Sequence, residues 1–154
     1  MREYRFRGKT TIGHKWVEGS LIHVDGTFEN DRWPNVPMNS YTCILQDESK
    51  LHPIDWPYLD CSTGCIDGYL TPVDPDTVGQ FAGLCDRNGT KIFEGDIVKG
   101  KDNLEHVLDV LGYIDHENGS FVIVGDIMRH YRWLDYDVEV IGNKWDSPEL
   151  LEVE

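Results

Sequence analysis

A mainly β protein with little helix is what this sequence predicts, and three observations carry the expectation. Apolar and polar residues alternate in short runs rather than at helical spacing. Turn formers are abundant, with 15 Gly and 7 Pro in 154 residues. No heptads, no long amphipathic stretch and no internal repeat interrupt that pattern. Short strands separated by tight turns argue for a barrel or a sandwich. The core is supplied by five Trp, seven Tyr and five Phe, each able to bury roughly 150–250 Å².

The elements follow in order. In REYRFRG, Tyr4 and Phe6 face one way and Arg5 and Arg7 the other, as in a strand with one buried face. Thr10 to Gly13 reads as a turn. KWVEGSLIHVDG is a second extended segment, which Gly19-Ser20 should interrupt as a bulge or tight turn, with Trp16, Leu21 and Val24 as core residues. Residues 26–40 are turn-rich. YTCILQ (41–46) is a strand, and residues 47–68 form a long loop with two prolines, two glycines and two cysteines. Loops of that length in small domains are usually functional or insertions.

From Tyr69 onward the pattern is regular. A turn at Asp74-Pro75 leads to a strand around Thr77–Leu84. Asp86-Arg87-Asn88-Gly89 is a hairpin turn, either type I′ on Asn-Gly or a bulge on Gly89. Lys91–Phe93 returns, Glu94-Gly95-Asp96 turns the chain, and Ile97 and Val98 should alternate into and out of the core. Asp96 is placed to accept backbone N–H groups at that corner. Residues 106–115 and 120–128 flank a second hairpin at Glu117-Asn118-Gly119. A last strand falls at about 137–142. Ser147, Pro148 and Glu149 then have the N-cap, N1 and first-turn chemistry of one helical turn.

Charge narrows the partners. The net charge is −14, and residues 101–154 carry 4 basic against 13 acidic side chains. Such a field repels phosphate backbones, so direct nucleic-acid binding is disfavoured. Solubility is the plain reading; an acidic surface that occupies another protein's basic, DNA-binding face is the sharper one. No signal peptide and no stretch approaching 18 apolar residues occurs, so a cytoplasmic protein with no membrane association is expected. In that compartment Cys43, Cys61, Cys65 and Cys85 are expected as thiols or metal ligands, not disulfides.

Catalytic signals are weak. Cys61 and Cys65 have a C-x3-C spacing that zinc sites use, and Cys43, His52 or Cys85 would have to complete it. A second paired knuckle is missing, so free thiols and no cofactor are favoured. His106, His116 and His130 fall near strand ends without a local nucleophile motif. The carboxylate pairs Asp74/Asp76, Asp135/Asp137 and Asp115/Glu117 are what 28 acidic residues produce by chance, and no EF-hand, P-loop, GxGxxG or GxSxG occurs. An enzyme is not expected. Basic and aromatic residues interleave at RHYRW: Arg129, Tyr131, Arg132 and Trp133 are the best localised binding candidates. Alternation also offers a core role for Tyr131 and Trp133. Gln80 and the Asp86–Gly89 turn are the other candidate binding residues.

Three blocks carry a family likeness: MREYRFRGK with KWVEGSLI, the segment from Val73 to Val98, and VEVIGNKWDSPELL. The middle block, with TVGQF-GL, DRNG and EGDIV, is the most specific. With them the chain resembles the YopX-like proteins of phages and prophages. The resemblance implies an SH3-type barrel at residues 73–154, preceded by a β-rich region at 1–72 whose irregular loop spans about 27–70. It brings no catalytic residue. A non-enzymatic phage or prophage accessory protein acting through a protein partner is the first expectation. Homo-oligomeric assembly and an acidic DNA-mimic inhibitor are the alternatives.

Overall fold

Antiparallel strands are the dominant element among the described residues, as the alternation predicts. The computed structural model describes residues 4–24, 41–46, 70–102, 109–125, 129–130 and 136–152. Helix among them is limited to two 3-10 turns, Pro75–Thr77 and Pro148–Leu151. Contacts divide the chain into two units, Arg5–Val78 and Gly79–Glu154, the latter with Met1–Tyr4.

The first unit holds β1 (Phe6–Lys9), β2 (Trp16–Val24), β3 (Tyr41–Gln46) and β4 (Leu70–Pro72), neighbours in the order β4-β3-β2-β1. β2 runs unbroken through Gly19, which pairs Phe6 on one side and Gln46 on the other. The expected interruption at Gly19-Ser20 is absent. A Cβ at Gly19 would strike the Leu45 carbonyl, so this glycine serves close strand approach instead of a bend. Gly8 plays a related part, because its face is closed by Val73 and Ile44. Ile44 is fully buried, and Cys43 and Val73 nearly so.

Trp16 and Leu21, expected in the core, are only half-buried. The Arg7 guanidinium lies 4.7 Å from the Trp16 ring centre, so Trp16 carries a cation on its face. Tyr4, also expected to face inward, is 64% exposed.

Asp74 sets the end of this unit. Its side chain caps the Pro75–Thr77 turn through the Asp76 amide at 3.1 Å, and its own amide donates to the Lys9 carbonyl at 2.9 Å. Thr77 is buried; its hydroxyl donates to the Asp74 carbonyl and accepts from the Lys9 amide. The segment expected to enter a strand at Thr77 therefore makes one 3-10 turn first, because aspartate at the N-cap and proline at N1 are pre-organised for it.

The second unit begins with the hairpin of β5 (Gly79–Cys85) and β6 (Lys91–Phe93). It continues with β7 (Asp96–Asp102), β8 (Asp109–Glu117), β9 (Ser120–Gly125), β10 (Arg129–His130) and β11 (Tyr136–Asn143), a five-stranded sheet in the order β10-β9-β8-β7-β11. No ladder joins β10 to β11 among the described residues. Ile92, Val98, Val110, Ile114, Phe121, Ile123 and Val138 form its core, with Ala82 and Val140 packed against them. Each fully buried branched side chain contributes about 1.5–3 kcal/mol of transfer free energy.

Ile97 and Val98 are both fully buried, so the expected in-and-out alternation does not hold there. Val98 enters the core cluster. Ile97 faces the other side, where its register partner Gly142 lies beneath Leu150 and Ser147 of the last 3-10 turn. The terminal turn thus covers a face that a simple barrel wall would leave wet. It forms as Ser147-Pro148-Glu149 predicts, although the Ser147 side chain makes no cap bond.

Two irregularities bend the strands. In β5–β6, Phe81 pairs Phe93 while Cys85 pairs Lys91, so β5 carries two extra residues, with Gly83 at φ +88°. Leu84, inside that bulge, is 39% exposed. In β11 the register slips by one between Val140 and Gly142. Such bulges increase local twist and curvature.

Candidate functional site

Two features of the second unit gather polar chemistry at defined geometry. The first is the turn at Asp86–Gly89. Of the two geometries the sequence allows, the turn takes the bulge: Gly89 has φ +82° while Asn88 stays at negative φ. The Gly89 amide donates to the Asp86 carbonyl at 3.0 Å, and the Asp86 amide to the Thr90 carbonyl at 2.8 Å.

The Asp86 side chain, 7% exposed, reaches in three directions. It accepts from the Asn88 amide at 2.8 Å, the Thr90 amide at 2.8 Å and, across to β11, the Val140 amide at 3.0 Å. Burial alone would push this carboxyl up. The Val140, Thr90 and Asn88 donors outweigh it and hold the group below the ordinary aspartate value. Beside it the Arg87 amide donates to the Val138 carbonyl at 3.2 Å, while the Arg87 guanidinium pairs Glu139 at 2.9 Å and Asp137 at 3.7 Å. Lys99 also approaches Glu139, at 4.0 Å. Asp86 and Arg87 together clasp β11 to the β5–β6 hairpin.

The second feature surrounds Gly95. The turn Glu94-Gly95-Asp96 has Gly95 at φ +83°, and Asp96, 1% exposed, accepts from the Phe93 amide at 2.8 Å as its place in the sequence predicts. The Gly95 amide donates to the Ile114 carbonyl at 2.7 Å, and the Lys144 amide donates to the Gly95 carbonyl at 2.9 Å. A Cβ on Gly95 would fall inside the Trp145 ring. Asn143 aims that ring, its side-chain oxygen accepting from the Trp145 amide at 3.1 Å and the Asp146 amide at 2.9 Å. Glycine is therefore required twice over at residue 95.

On this base Lys144 lies over two aromatic faces, 4.7 Å from the Trp145 ring centre and 5.5 Å from that of Tyr113. All three side chains are half-buried. Among the described residues no carboxylate comes within ion-pair distance of the Lys144 ammonium. In so acidic a chain, a cation held by ring quadrupoles instead of an acidic neighbour keeps its charge available to an incoming group.

Tyr131, Arg132 and Trp133 lie outside the described residues, and of Arg129 only the backbone is described, pairing Val124 at the start of β10. Cys61, Cys65 and His52 also lie outside them. Cys43 is buried in β3, where burial pushes its thiol up, and Cys85 is exposed at the end of β5. Among the described residues no three His, Cys, Asp or Glu side chains come together in a way that would hold a metal. Gln80 is half-buried in β5; its carbonyl accepts from the Glu94 amide at 2.9 Å and its amide approaches the Glu94 carboxylate at 3.5 Å.

Several acidic residues that looked like chance pairs have local partners. Asp74 caps a turn, Asp115 accepts from the His116 amide at 2.9 Å, and Asp137 meets Arg87. His116 packs edge-on against Phe121 at 4.9 Å. The Tyr113–Lys144–Trp145 group was not anticipated. Its most distant members, Tyr113 and Trp145, are 32 positions apart, and the Gly95 hydrogen bonds join β8 to the residue that follows β11 there. The one local hint was Lys-Trp directly after a strand ending in Asn.

No helix among the described residues is long and apolar enough to cross a membrane. No curated protein matches the chain. Among solved structures it is similar to the crystal structure of protein EF1440 from Enterococcus faecalis, with 20% identity over 99% of this chain and 100% of that one, at a TM-score of 0.46. A family model described as YopX protein matches residues 5–152, and the chain therefore belongs to the YopX family.

Proposed function

We propose that this YopX protein is a phage or prophage accessory protein that works by binding another protein, without catalysis and without a cofactor, in the bacterial cytoplasm. The observation that carries the reading is the Lys144 ammonium over Tyr113 and Trp145, with no carboxylate within ion-pair distance among the described residues. Tyrosine and tryptophan are enriched at the centres of protein interfaces, where flat rings supply area at low entropy cost. A partner presenting a carboxylate or carbonyl edge fits this group best. The finer architectural reading is an SH3-type barrel at residues 73–154. It is supported by the backbone bonds Gly95–Ile114, Lys144–Gly95 and Arg87–Val138, which draw the β5–β6 hairpin against β8 and β11.

The test is capture from host lysate on immobilised protein. The native chain should retain a defined host or phage protein that Lys144→Glu loses and Lys101→Glu, an exposed charge reversal elsewhere on the same unit, keeps. A retained set unchanged by Lys144→Glu refutes this surface. The charge of −14 favours one second reading, an acidic mimic of DNA. That reading requires the retained protein to be a basic nucleic-acid-binding factor displaced by duplex DNA. Homo-oligomeric assembly requires a mass above that of one chain by light scattering.

A further inference from the structure

The chain has two Asn-Gly steps, Asn88-Gly89 and Asn118-Gly119, both exposed and both in hairpin turns. Their hydrogen bonding differs. At the first, the Gly89 amide is committed to the Asp86 carbonyl, while the Asn88 and Thr90 amides are committed to the Asp86 carboxylate. At the second, Asn118 (φ 51°) and Gly119 (φ 81°) form the two-residue link between Glu117 and Ser120, with both residues left-handed as in a type I′ turn. Among the described residues no acceptor is seen for the Gly119 amide.

We infer that Asn118 is a site of spontaneous covalent modification, deamidation through a cyclic imide, and that Asn88 is protected by the Asp86 turn. In the first step the Gly119 amide nitrogen gives up its proton and attacks Cγ of Asn118. A new N–Cγ bond forms, the Cγ–Nδ2 bond breaks, and ammonia leaves. Water then opens the imide at either carbonyl, giving aspartate or isoaspartate. No oxidant or enzyme is needed. The attacking nitrogen must be free of an acceptor and open to water, and nothing within 4 Å would obstruct even an added Cβ on Gly119. Gly89 has equal room around its Cα, so hydrogen bonding, not space, separates the two sites.

The product matters to the fold. Isoaspartate adds one carbon to the backbone of a two-residue turn, which the Glu117–Ser120 register cannot absorb. That register places Ile114 opposite Ile123, both in the core, and His116 opposite Phe121. The modification also adds a negative charge to an already acidic chain.

The experiment is site-resolved peptide mapping of the full chain, incubated in mildly alkaline buffer with and without urea. In the folded protein Asn118 should convert at least about tenfold faster than Asn88, the factor that one amide hydrogen bond worth about 1.4 kcal/mol would give. In urea the two rates should converge. Asn118→Gly, which keeps a left-handed residue in the turn, should remove the main acidic species on isoelectric focusing. Equal rates in the folded chain, faster conversion at Asn88, or a ratio unchanged by urea would each overturn the inference.

Discussion

Replacing Asp86 by alanine should cost this protein far more than an ordinary surface aspartate. The carboxylate accepts three backbone amides, and alanine orphans all of them at once. The Val140 amide sits within a strand, half-buried, and leaving it unsatisfied costs about 1–3 kcal/mol. Asn88 and Thr90 are exposed, so their amides rehydrate, at about 0.5–1 kcal/mol each. The sum is about 2–5 kcal/mol, and Asp86→Asn, which keeps one neutral acceptor, should lose roughly half as much.

Urea unfolding at neutral pH measures this as a lower midpoint with an unchanged slope. The pH dependence follows from the same donors. The folded carboxyl titrates below its ordinary value of 3.8, so its contribution is complete above that value and is lost as pH falls through the lower folded one. Native stability should therefore drop in acid below about pH 4, and Asp86→Ala should show a shallower drop. A midpoint change worth under about 0.5 kcal/mol, or identical acid profiles for both proteins, would refute the clasp.

Two further outcomes are expected. Gly95→Ala should destabilise by about 3 kcal/mol or more, through left-handed strain of about 1–2 kcal/mol and collision with Trp145, whereas Gly89→Ala, with open space around it, should lose only about 1 kcal/mol; thermal unfolding compares them. Cys85 should alkylate in the folded protein and Cys43 only on unfolding, since burial both hides the Cys43 thiol and raises its pKa; peptide-resolved labelling with and without urea checks the order.

How far the sequence could be read depends on whether the determinant was local. Both hairpin turns and the EGD corner were legible because Asn-Gly and Gly-Asp encode their own backbone angles. The Gly19 reading failed because a glycine marks either a bend or a close approach, and only the neighbouring strand, here at Leu45, decides which. Ile97 was misplaced because alternation assumes one wet face, and the terminal turn at Pro148–Leu151 removes it. The candidate site was the least legible part. Lys144, Tyr113 and Trp145 meet through a glycine far from all three in sequence, and no spacing rule records such a meeting.

The clasp on β11 has a bearing on solubility as well as stability. An edge strand with free amides and carbonyls is a template on which another chain can add. Here Asp86 and Arg87 occupy the Val140 amide and the Val138 carbonyl, so a strand adding at those positions must first displace the turn. A chain lacking the Asp86 carboxylate therefore carries an opened sheet edge into every encounter with its own copies, and its aggregation should begin from a still-folded state.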